Sequence, residues 1–142
     1  MEEEYYYLDT SAYLGILLGE EKADLIRNFL QEKKLCSNVL MFIEAERNLV
    51  LMSREKDMSS NFYESCSQRL HQDVESFVLK DLSLDLALNR VYPPLKTPRT
   101  LDLIHLRTAL WFQQNYELKA FVTLDRHQEA AAVELNLPLL KE

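Results

Sequence analysis

Two short apolar runs that each stop at an aspartate constrain this chain most. Residues 5–8 (Tyr5, Tyr6, Tyr7, Leu8) end at Asp9, and residues 120–124 end at Asp125. Both read as short buried strands, the first aromatic and the second rich in strand formers. Two further brief strands fall at residues 35–38 and 77–79, and residues 137–140 read as a last edge strand in which Pro138 is tolerable. Between these runs the spacing predicts helices over residues 10–18, 20–34, 39–56, 58–72, 83–91, 100–116 and 125–135. Gly19 can close the first helix, and Pro93, Pro94 and Pro98 punctuate a loop. Short apolar strands alternating with long amphipathic helices imply an α/β fold with a parallel sheet covered on both faces. The helices supply the crossovers that parallel strands require.

A chain of 142 residues with no repeat, linker or low-complexity tract is expected to form one domain. Its two glycines, Gly15 and Gly19, are too few for a β-sandwich or a glycine-rich phosphate loop. The formal net charge of −7 disfavours a broad phosphate-binding surface, unless the acids are gathered in one place and neutralised by a cation. Cys36 and Cys66 match no zinc spacing and read as buried or free thiols, which suits a reducing compartment. The first residues are acidic where a signal peptide is basic, and no apolar run reaches the ~20 residues of a membrane span. A cytoplasmic protein is therefore expected.

In an open parallel sheet, ligands sit beyond the carboxyl ends of the strands. Asp9 and Asp125 occupy that position. Carboxylates converging there repel unless a proton or cation intervenes, and clustered oxygens without His or Cys suit Mg²⁺ or Mn²⁺ better than zinc. Each acid also has a purely local role open to it. Asp9 can cap the helix starting at Thr10, and Asp125 can cap the next one with Gln128 completing a capping box. Asp102 lies in the first turn of its helix, and Glu44 can pair with Arg47 one turn on. Aspartate phosphatases and receiver domains fit poorly. Ser11 stands where the former place a second Asp, and Asp9 lacks the adjacent acid of the latter.

At these residues the chain resembles the PIN-domain family, and within it the VapC-type toxin ribonucleases. Tyr7-Leu8-Asp9-Thr10-Ser11-Ala12 is similar to the family's opening motif, a strand ending in Asp before a small hydroxyl pair. Residues 40–47 are similar to its second motif, in which a helical Glu precedes an Arg by three, and that register selects Glu44 over Glu46. Residues 99–110, around Asp102, give the strongest match, and residues 121–126 with the later Leu137-Pro138-Leu139 close the pattern. The motifs span nearly the whole chain in family order.

The resemblance implies a PIN-like α/β/α sandwich with a central, mainly parallel sheet of four to five short strands. It implies Mg²⁺ or Mn²⁺ held by the catalytic acids Asp9, Glu44, Asp102 and Asp125, and endonucleolytic hydrolysis of RNA phosphodiester bonds. It also implies a cognate antitoxin and a homodimer, for which the apolar faces of residues 20–30 or 39–50 are candidates. Thr10, Ser11 and Thr123 lie beside the acids and could orient water or phosphate, with local capping as the competing role. Arg47, Arg99, Arg107 and Arg126 fall near the motifs and could grip the RNA backbone. His105, one turn past Asp102, reads as a packed or surface histidine, and Tyr5, Tyr6 and Tyr7 as strand packing. The competing reading of the whole is a non-catalytic interaction module whose acidic surface binds a basic partner.

Overall fold

The computed structural model describes residues 3–55, 58–88 and 99–140. The chain opens with strand β1 (Glu4–Leu8) and helix α1 (Thr10–Leu17). A 3₁₀ turn (Glu21–Ala23) leads into α2 (Asp24–Leu30), then β2 (Lys34–Asn38), α3 (Leu40–Arg54) and α4 (Ser60–Ser76). There follow β3 (Val78–Lys80), α5 (Leu84–Leu88), α6 (Thr100–Asn115), β4 (Glu117–Val122) and α7 (Arg126–Glu134). The four strands form one all-parallel sheet in the order β3-β2-β1-β4.

The aromatic run sits where the sheet is most enclosed. β1 lies between β2 and β4, and its alternating side chains feed two cores. Tyr6 and Leu8 join Tyr13, Met41, Phe42, Leu49 and Leu70 under α1, α3 and α4. Tyr5 and Tyr7 join Leu106, Phe112, Phe121 and Ala132 under α6 and α7. This is the α/β/α sandwich the strand–helix alternation implies. A register shift pairs Tyr5 with Leu118 but Tyr6 with Ala120, so Lys119 is the extra residue of a bulge. The slip sends Leu118 and Phe121 to one core, and Ala120 and Val122 to the other.

Several boundaries differ from expectation for local reasons. The helix expected over residues 20–34 is a 3₁₀ turn and a shorter helix, and Glu32 (φ 66°) turns the chain so that β2 starts at Lys34. The helix expected over residues 58–72 starts later and runs on to Ser76. The strand expected at residues 137–140 is a single parallel bridge between Phe121 and Leu139, with Phe121 N–H donating to the Pro138 carbonyl at 2.7 Å. Pro138 has no N–H of its own to offer a ladder, which limits that pairing. α5 is described only to Leu88, and the proline loop at 93, 94 and 98 lies outside the described residues. Both cysteines are free and buried. Among the described residues, no helix is long and apolar enough to cross a membrane.

Candidate functional site

β1 and β4 are parallel neighbours, so their carboxyl ends lie side by side. Asp9 follows β1 and is 3% exposed. Its backbone N–H donates to the Val122 carbonyl at 3.2 Å, which locks the end of β1 to β4. Its carboxylate accepts from three groups. Ala12 N–H (3.0 Å) and Ser11 Oγ (2.8 Å) donate to Oδ1, and Thr123 Oγ1 donates to Oδ2 at 2.5 Å. Asp9 is thus the N-cap of α1, as its position implies, and also the centre of a hydroxyl cluster.

Ser11 and Thr123 stitch the two strand ends together. Ser11 Oγ accepts from Leu124 N–H at 2.9 Å, and Thr123 Oγ1 accepts from Asp125 N–H at 3.1 Å. Asp125 caps α7, accepting from His127 N–H (2.8 Å) and Gln128 N–H (3.4 Å). The expected capping box does not form. Asp125 N–H already has Thr123, and Gln128 Nε2 donates instead to the Asp102 carbonyl at 2.8 Å. Gln128 is buried by this contact between α7 and the first turn of α6.

Asp102, in that first turn, is the electrostatic hub. Its negative charge raises the pKa of Asp9 and of Glu44, and Asp125 raises that of Asp102. Desolvation is the largest cause in all three. Burial carries Asp9 up to about 6 even though its three hydrogen bonds pull the other way. Glu44 and Asp102 are half-buried and are raised as well, with Arg99 opposing at both and Arg47 opposing at Glu44. The four acids therefore share one field, linked pairwise through Asp102. They do not form a closed coordination sphere. Among the described residues, no three His, Cys, Asp or Glu side chains stand together as a metal-binding group. As a donor set they are still hard carboxylate oxygens at one sheet edge, the chemistry that Mg²⁺ and Mn²⁺ take.

The arginines divide. Arg99 and Arg47 lie within electrostatic reach of the acids, though Glu44 and Arg47 make no ion pair among the described residues. Arg126 opens α7 beside Asp125 and is exposed. Arg107 is turned to another use. Its Nη1 donates to the Ala87 carbonyl at 2.8 Å, and its Nε is buried, so it fastens α6 to α5.

A second tier of buried polar groups lies beneath the acids. His105 is 1% exposed, with Nδ1 2.7 Å from the Tyr7 hydroxyl and Nε2 2.9 Å from the Thr10 hydroxyl. Burial pushes the imidazole down to about 3, so it is neutral at pH 7, and one nitrogen donates while the other accepts. Tyr7 is therefore more than strand packing, and Thr10 faces this histidine inside the protein. Asn38, at the end of β2, bonds Thr108 of α6 and accepts from Leu40 N–H at 3.0 Å. In the sequence Asn38 reads only as the end of a strand, although an Asn directly ahead of a helical pattern is a start signal that could have marked it. Nothing comparable marked Thr108, whose role depends on which helix faces it.

The sequence matches no protein-family model, and it matches none of the curated proteins.

Proposed function

We propose that this chain is a divalent-metal-dependent endoribonuclease of the PIN/VapC kind, with Asp9, Glu44, Asp102 and Asp125 as the acids that hold Mg²⁺ or Mn²⁺. The observation that carries the reading is the buried carboxylate of Asp9, held by three donors in the field of Asp102 at the carboxyl edge of a parallel sheet. Local capping needs only the bond from Ala12 N–H. It does not need a second helix-terminal acid in the same field, and mutual repulsion of that kind is what a cation relieves.

A divalent ion bound there supplies a Lewis acid and an activated water for phosphodiester hydrolysis. The residues of the chain do the rest. Ser11 and Thr123 fix both oxygens of Asp9 so that its lone pairs keep one orientation. Glu44, the longest of the four acids, stands half-buried on α3, with Asp102 and Arg99 in its field. Arg99 and Arg47 place positive charge beside the acids, where a phosphate oxygen would otherwise be repelled. Arg126, exposed at the start of α7, is the third cation for the RNA backbone. By the same resemblance the protein is a cytoplasmic toxin with a cognate antitoxin and forms a homodimer. Light scattering at micromolar concentration tests the dimer.

The purified chain should cleave RNA with Mg²⁺ or Mn²⁺, and Asp9→Asn and Asp102→Asn should each lower the rate at least ~100-fold while keeping the wild-type circular dichroism spectrum. Full activity in either folded variant overturns the assignment. One observation favours a second reading, a non-catalytic module with an acidic surface: Asp9 and Asp125 both serve as helix caps, and no three acids are grouped for one ion among the described residues. On that reading the protein neither binds Mn²⁺ nor cuts RNA.

A further inference from the structure

Two side chains beneath the acids are polar, almost wholly buried, and span the elements that carry them. His105 sits one turn after Asp102 on α6 and reaches both Tyr7 of β1 and Thr10, the residue next to Asp9. It thus joins the helix bearing Asp102 to the strand–helix junction bearing Asp9. Gln128 lies on α7, three residues after Asp125, and donates to the backbone carbonyl of Asp102 itself. It joins the helix bearing Asp125 to the helix bearing Asp102. We propose that His105 and Gln128 are positioning residues that set Asp102 at fixed separations from Asp9 and from Asp125. The inference rests on the metal reading above and says how the acids of that site are held in place.

Stability gives little reason for either residue. A buried polar cluster replaced on both sides by apolar groups of similar shape is often neutral or stabilising, because desolvation offsets most of what the hydrogen bonds contribute. The Asp102 carbonyl also faces the Leu106 N–H four residues on in the same helix, so the bond from Gln128 is additional to the helical one. What the two bonds add is direction. Each is a short contact between different elements, and each fixes a backbone segment within one turn of an acid. Apolar contacts at the same places would tolerate sliding; a hydrogen bond of 2.7–2.9 Å does not. Asp102 lies on the helix that both sets of bonds hold, so a shift of α6 would alter its separation from Asp9 and from Asp125 at once.

The test uses Mn²⁺ alone as the probe, titrated by calorimetry into the full chain. His105→Leu removes both of its bonds, His105→Gln keeps a donor and an acceptor in their place, and Gln128→Met removes one bond while keeping the side-chain length. The expected result is a loss of Mn²⁺ affinity of ~10-fold or more in His105→Leu and in Gln128→Met, the size seen when an outer partner of a metal ligand is lost. His105→Gln should recover most of that loss. Folded His105→Leu or Gln128→Met that binds Mn²⁺ as the wild type does, whatever its melting temperature, overturns the positioning role and leaves the metal reading standing. Should His105→Leu fail to fold, Gln128→Met decides alone. A wild-type chain that binds no Mn²⁺ overturns both.

Discussion

Asp9 and His105 illustrate at the residue scale how burial alone redirects a titration. Both are almost fully enclosed, and in each the charged form is disfavoured. Their effects on stability oppose each other. His105 titrates near 6.5 when unfolded and at about 3 when folded, so between those values the unfolded chain holds the extra proton. Above pH 6.5 the imidazole is neutral in both states and burying it carries no titration cost; stability falls as pH drops below that, by about 2 kcal/mol between pH 7 and pH 5. Asp9 titrates near 3.8 unfolded and at about 6 folded, so the folded chain holds the extra proton and stability rises as pH falls through that window. The gain over the same interval is about 1 kcal/mol. Asp9→Asn removes this offset, while the raised Glu44 and Asp102 remain in both proteins. In metal-free urea titrations, Asp9→Asn should lose about 1 kcal/mol more stability from pH 7 to pH 5 than the wild type does. Equal losses would mean that Asp9 titrates as an ordinary carboxyl.

Element boundaries follow from single residues. α1 stops because Gly19 takes a φ of 69°, with Gly19 N–H donating to Ile16 O at 3.2 Å and Glu20 N–H to Gly15 O at 2.9 Å. This double closure of the last carbonyls needs a left-handed residue, the conformation in which a side chain is strained. Gly19→Ala should therefore lower stability by about 1 kcal/mol in urea denaturation, although nothing lies within 4 Å of the added carbon. An unchanged midpoint would place the stop signal elsewhere. Gly15 acts through space instead. A Cβ there would stand 2.6 Å from the tip of Leu124, so the missing side chain lets α1 close on the segment leading to Asp125. The two glycines thus have different uses, and only that of Gly19 was legible as a helix end.

Across the whole molecule, protection should follow sheet position. β1 has a paired neighbour on each side, whereas β3 is an edge with β2 alone. Amide hydrogen exchange should be slowest at Tyr6, Tyr7 and Leu8 and at least ~10-fold faster at Val78–Lys80. A β3 as protected as β1 would mean that another surface covers that edge. The net charge of −7 belongs to this scale too, because it describes the whole surface and says nothing of where Arg99 and Arg47 stand.

Local chemistry was enough to place the four strands of the sheet, most of the helices and the two helix-capping aspartates, but not the break within residues 20–34 or the single bridge at Leu139. An apolar run, a cap or a left-handed glycine acts over a few residues, and those residues are adjacent in the chain. Only the folded chain could decide that Asp102 is the hub of the four acids, that Gln128 bonds across to it and not back to its own cap, that Arg107 serves a helix carbonyl, and that His105 lies buried between Tyr7 and Thr10. These depend on which elements pack together, at separations of 20 to 98 positions along the sequence. Periodicity names the buried face of a helix. It does not say which partner waits there, because the partner is chosen by the register and order of the sheet.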